Sequence, residues 1–204
     1  MGLEIKSVGV VGLGYVGLPT SIAFYNANFR VRGVDVSTAV IDMLKEGASP
    51  LVDQTEVLSI PEESERWSVG LNCDILEDCE VILITVPTPV TSNKEPDLSF
   101  VEAASRSVLR SIPRGRNRVV VLESTVYPGV TRNLLGGVCE EIGLVIGSDV
   151  TLAYCPERID PGTDMGVGNI ARVVGCDDPM IGESLAEMYG KTTSAESIYV
   201  GKME

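Results

Sequence analysis

The chain has 204 residues, 44% of them hydrophobic and 22% charged, and a formal net charge of −13. That composition excludes a disordered chain and supplies enough apolar material for one full core or two small ones. The acidity argues against nucleic acid or an anionic membrane as partner, but not against a phosphorylated ligand, which backbone N–H groups bind without positive side chains.

In chain order, SVGVVG (7–12) predicts a first strand and residues 15–26 the first helix. RVRGVDV (30–36) is a second strand, and Ser37 is placed to cap a helix through Lys45 that Gly47 ends. Residues 47–66 read as irregular, SVGLN (68–72) as a short strand and CDILEDCE as a turn. VILITV (81–86) has the continuous apolar run of a strand inside a parallel sheet. After a loop over 88–96, Asp97 is expected to cap a helix to about Ile112. RVVVLES (118–124) is another buried strand, followed by a loop and a helix at about 130–142. DVTLAYCPE (149–157) is a strand and its exit loop. ARVVG (171–175) and SIYV (197–200) read as strands flanking a helix at about 179–189.

Repeated strand–helix units predict an α/β fold, Rossmann-like and doubly wound, with a mainly parallel sheet, helices on both faces, and one domain over 1–204. Ligands in such folds bind at the carboxyl edge of the sheet. The distinctive loops at 12–17, 35, 86–89, 124–129 and 154–162 all follow strands, so they are expected to converge there.

The stretch VGVVGLGYVGLPTS places Gly12, Gly14 and Gly17 in a G-x-G-x-x-G pattern between an apolar strand and a helix. Gly12 permits the tight turn. Gly14, with Tyr15 and Val16 beside it, lets the backbone approach a pyrophosphate, and Gly17 lets the helix pack on the strand. Pro19 fits if it lies in the first helical turn, whose N–H groups have no helical partner. Asp35 ends the second strand, 18 residues after Gly17. Its carboxylate can accept hydrogen bonds from the adenosine ribose and would repel a 2′-phosphate, which favours NAD; Arg30 and Arg32 keep NADP open. The competing reading of the loop is a plain glycine-rich turn.

The five cysteines, Cys73, Cys79, Cys139, Cys155 and Cys176, form no C-x-x-C pair, and the chain has no histidine. Those facts argue against a metal site and against Ser-His or Cys-His catalysis. Free thiols point to a cytoplasmic protein. No apolar run approaches the roughly 18 residues of a membrane span, and the N-terminus lacks the pattern of a signal peptide.

Five motifs, GLGYVGLPTS, VDV, TVPTP, ESTVYPGVT and YCPERIDPG, resemble in order and spacing the UDP-glucose/GDP-mannose dehydrogenase family over essentially the whole chain. The PERIDPG form is most similar to the branch acting on UDP-N-acetylhexosamines, notably UDP-N-acetylmannosamine. The resemblance implies oxidation of a sugar C6 alcohol to a carboxylate in two NAD-dependent steps, by way of an aldehyde captured by a cysteine and a thioester cleaved by water. Such enzymes serve polysaccharide biosynthesis. It also implies that Val86, Pro87 and Thr88 line the adenosine and ribose side, and that Ser124 and Thr125 sit near the nicotinamide. Thr125 would hold a catalytic water and Glu157 would be the general base, while Arg158, Ile159 and Asp160 would face the substrate. Arg172 and Tyr127 are weaker candidates. The chemistry is sound from the residues upward: a hydroxyl positions water at small steric cost, and a carboxylate in a cleft can be raised toward neutrality. The blander alternatives are that Thr125 merely turns the chain and that Glu157 is a surface carboxylate paired with Arg158.

The family continues into a long dimerisation helix and a substrate domain whose catalytic cysteine lies in a G-x-G-G-x-C motif, which is absent here. Residues 1–204 are therefore expected to be the N-terminal cofactor domain of a longer, homodimeric enzyme, inactive alone on a UDP-sugar. Val40 stands where the family often has a base. Cys155 is expected to be a buried thiol rather than a substitute nucleophile. Two other functions stay open: the cofactor domain of a β-hydroxyacid dehydrogenase, and a non-catalytic NAD-sensing module.

Overall fold

The computed structural model describes residues 3–51, 58–157 and 171–203, and in it the apolar runs become the middle of one sheet. Its strands are β1 (Ser7–Val11), β2 (Arg30–Val34), β3 (Trp67–Gly70), β4 (Val81–Ile84), β5 (Arg118–Leu122), β6 (Val150–Tyr154), β7 (Arg172–Cys176) and β8 (Ser197–Gly201). They lie in the order β3-β2-β1-β4-β5-β6-β7-β8. β1 through β6 pair in parallel, β7 runs antiparallel to β6, and β8 is parallel to β7. The order reverses between β1 and β4, which opens a crevice at their carboxyl ends.

The helices are α1 (Gly17–Asn26), α2 (Thr38–Lys45), α3 (Ser99–Ser111), α4 (Gly136–Ile142) and α5 (Pro179–Gly190). One face of the sheet packs against Leu18, Phe24, Ile41, Leu185 and Tyr189 of α1, α2 and α5. The other packs against Val101, Val108, Val138 and Cys139 of α3 and α4. Every residue of β1 and β4 is buried, as a strand covered on both faces requires. Period-two alternation divides them: Val81 and Leu83 join the first cluster, Ile82 and Ile84 the second. No helix among the described residues is long and apolar enough to cross a membrane.

The predicted doubly wound sheet is present, with local differences. Ser37 caps α2 as expected, its hydroxyl accepting from the Val40 N–H at 3.4 Å. α1 begins at Gly17, which puts Pro19 in the first turn. Asp97 is not the cap of α3: Leu98 holds that position, and the Asp97 carboxylate accepts from the Ser99 N–H at 2.9 Å. The turn after β3 closes as a 3-10 turn over Cys73–Leu76, and β3 itself starts a residue before the predicted strand. The helix expected at 130–142 opens with a π-helical turn over Thr131–Leu135.

Candidate cofactor site

The site begins where β1 turns into α1. Gly12 adopts φ +94°, a conformation only glycine takes easily, and its N–H donates to the Val34 carbonyl at 2.8 Å. A Cβ on Gly17 would run into the Gly12 carbonyl oxygen and the Thr85 hydroxyl, so the helix packs on the strand only because Gly17 has none. A Cβ on Gly14 would meet nothing within 4 Å. The backbone at Gly14 thus faces open space at the positive end of the α1 dipole, a fit for a pyrophosphate.

Asp35 stands at the end of β2 with both carboxylate oxygens held. One accepts from the Leu13 N–H at 2.8 Å and the other from the Ser37 N–H at 2.9 Å. A carboxylate fixed this way keeps lone pairs for a ribose hydroxyl. Across the crevice, the Ser124 hydroxyl donates to the Val86 carbonyl at 2.6 Å, and the Thr88 hydroxyl to the Thr125 carbonyl at 2.9 Å. The loops after β4 and β5 are therefore fastened to one another.

These loops enclose a cleft of about 910 Å³ that reaches from Gly14 and Asp35 at one end to Thr125 and Glu157 at the other. Every sequence-predicted cofactor residue lines it except Gly17, which is packed beneath the turn. Thr125 is exposed on its rim. Arg158, Ile159 and Asp160 lie outside the described residues. Val40 packs its side chain against the core beside α2 rather than offering a cation.

Glu157 is not a surface carboxylate, and its neighbour Arg158 lies outside the described residues. The Glu157 side chain is only 5% exposed and bonds to the guanidinium of Arg172, itself 1% exposed. Beside the pair stands Glu123, wholly buried at the end of β5, which accepts from the Tyr189 hydroxyl at 2.6 Å. Burial pushes the Glu123 carboxyl up to about 7; Arg172 and the Tyr189 hydrogen bond pull it down, and Glu157 adds to the rise. Burial works against the charge of Arg172, but Glu123 and Glu157 outweigh it and raise its pKa. Sequence reasoning gave Glu123 and Tyr189 no role. The available signal was a carboxylate closing an otherwise apolar strand, RVVVLE, and an arginine opening another, RVVG. Cys155 lies next to this group as a fully buried thiol that burial raises far above its ordinary value.

The chain is similar to known proteins over most of its length. Residues 6–193 match the profile of the UDP-glucose/GDP-mannose dehydrogenase family, NAD binding domain. The UDP-N-acetyl-D-glucosamine 6-dehydrogenase of Pseudomonas aeruginosa is 36% identical over 192 residues, which is 92% of this chain and 44% of that protein. The structure of UDP-N-acetyl-mannosamine dehydrogenase from Staphylococcus aureus aligns with a TM-score of 0.80 at 29% identity, covering 97% of this chain and 47% of the other. A GDP-mannose dehydrogenase ternary complex from Pseudomonas aeruginosa gives 0.83 at 27% identity, covering 96% and 46%. The chain spans about half the length of the relatives it matches. The chain belongs to the UDP-glucose/GDP-mannose dehydrogenase family, of which it is the NAD-binding domain.

Proposed function

We propose that the chain is the cofactor half of an NAD-dependent nucleotide-sugar 6-dehydrogenase that oxidises the C6 alcohol of a UDP-N-acetylhexosamine, UDP-N-acetylmannosamine foremost, to a uronate for polysaccharide biosynthesis. The observation that carries the reading is the single cleft with Asp35 at one end and Thr125 and Glu157 at the other. Asp35 accepts from the adenosine ribose, and the Gly14 backbone receives the pyrophosphate. Bound there, NAD supplies the hydride acceptor. Ser124 keeps the Val86–Thr88 loop against the cofactor by its bond to Val86. Thr125, exposed on the rim, would hold a water, and Glu157 would accept that water's proton as it attacks a thioester carbonyl, breaking the C–S bond to a cysteine thiolate of the substrate half. Arg158, Ile159 and Asp160 face the sugar nucleotide in this reading.

The substrate half and the homodimer contact belong to the part of the protein that matches the remainder of the relatives. The five cysteines are unpaired, which suits a reducing cytoplasm. Calorimetry and a turnover assay test the proposal together. Residues 1–204 alone should bind NAD and leave UDP-N-acetylmannosamine unoxidised, and turnover should appear once the substrate half is supplied. Turnover by residues 1–204 alone, or failure to bind NAD, overturns it.

A further inference from the structure

At the inner end of the cleft, four stretches of chain bring ionisable groups together. Glu123 follows β5, Cys155 and Glu157 follow β6, Arg172 opens β7 and Tyr189 comes from α5. Among the described residues the charges of Arg172 and Glu157 and the hydroxyl of Tyr189 act on Glu123, so two carboxylates face one guanidinium. In a low-dielectric interior the two carboxylates compete for that guanidinium.

The hydrogen bonds divide unevenly. Arg172 Nη1 donates to Glu157 Oε2 and stays 3.9 Å from Glu123 Oε2, too far for a hydrogen bond. Glu123 Oε1 has Tyr189, but Glu123 Oε2 has no hydrogen-bond partner among the described residues, and neither has Arg172 Nε. A bare buried carboxylate oxygen beside a guanidinium that serves another acid is the arrangement expected when Glu123 carries a proton. On losing it, Glu123 would become a competitor for Arg172.

We propose that Glu123 is a positioning residue acting through Arg172: its charge state decides whether the buried guanidinium belongs to Glu157 alone or is shared between two carboxylates, and so sets where the Glu157 carboxylate stands in the cleft. Protonated Glu123 leaves Arg172 to Glu157 and holds that side chain back against the sheet. Ionised Glu123 draws the guanidinium toward itself and loosens the hold. The consequence for catalysis rests on the reading of Glu157 as the base; the coupling itself does not.

The test is nitrogen NMR of the Arg172 guanidinium in residues 1–204, followed from about pH 5 to about pH 9. The Arg172 resonances should shift with one inflection near about 7, and Glu123→Gln should abolish it. Tyr189→Phe removes the bond that favours the charged carboxylate, so it should move the inflection upward. Arg172 resonances that ignore pH, or that keep the inflection in Glu123→Gln, overturn the proposal. If Glu123→Gln does not fold, Tyr189→Phe decides: an upward move supports the proposal and an unmoved inflection overturns it. In the enzyme completed with its substrate half, Glu123→Gln should flatten the neutral step of the kcat–pH profile with KM for the sugar unchanged. Full turnover by Glu157→Gln would remove Glu157 as the base while leaving the Arg172 titration intact, so the two failures are distinguishable.

Discussion

Asp35 has a structural duty and, on the proposed reading, a ligand-binding one. Its oxygens brace Leu13 and Ser37 at 2.8 and 2.9 Å, and its remaining lone pairs are available to a ribose. Asp35→Ala should weaken NAD binding about tenfold or more, the scale of hydrogen bonds to a charged group, and should narrow the preference over NADP. Calorimetric titration with both dinucleotides checks this; unchanged NAD affinity would mean that the ribose binds elsewhere. Glu123 makes a prediction of a different kind. Its carboxyl is raised from 4.5 to about 7, so between those values the folded protein holds a proton that the unfolded chain has released. Its contribution to stability is whole below the lower value and is lost as pH rises through the upper one. Glu123→Gln cannot ionise and escapes that loss. Its melting temperature relative to the wild type should climb from about pH 5 to about pH 8, by an amount worth on the order of a few kcal/mol. A difference that stays flat with pH would show that Glu123 is not neutral in the folded state.

At the scale of elements, the turn from β1 into α1 separates two roles of glycine. Gly17→Ala forces a methyl against the Gly12 carbonyl and the Thr85 hydroxyl. It should cost about 1–3 kcal/mol in denaturant unfolding and weaken NAD as well. Gly14→Ala meets open space, so stability should stay within about 0.5 kcal/mol while NAD affinity falls. Equal effects of the two on stability would contradict the packing described. This turn was legible in the sequence because its chemistry is local: a strand, three glycines at fixed spacing and an acid at the end of the next strand. The strands were legible because β1, β4 and β5 are apolar on both faces. The direction of β7 was not, since pairing against β6 depends on the path between them and not on the residues of either strand. Nor was the Glu123–Tyr189 contact, whose partners stand 66 positions apart and meet only through the packing of α5 on the sheet. Asp97 misled because an acid before a helix reads as a cap whether or not it stands one residue too early.

For the molecule as a whole, β7, α5 and β8 do more than widen the sheet. They deliver Arg172 and Tyr189 to carboxylates that belong to the first part of the chain. Ending the chain after Glu157 would strand Glu123 and Glu157 without those partners and uncover the α5 side of the core. Breaking a buried ion pair alone costs about 3–5 kcal/mol, against a total stability of about 5–15 kcal/mol for a domain. Such a truncation should lose its cooperative thermal transition by circular dichroism; a sharp melt near the wild-type temperature would show that the first six strands stand by themselves.

The bond from the Leu13 N–H to Asp35 reaches further than the binding of one ligand. On the proposed reading, the acid that would select the coenzyme is also the pin of the turn that would cradle it. A lineage drifting toward a phosphorylated coenzyme would have to discard the carboxylate and re-anchor Leu13 in the same step. Two coordinated substitutions are harder to reach than one, so the choice of coenzyme is guarded by the architecture of the loop and resists being retuned by single changes, whether in evolution or at the bench.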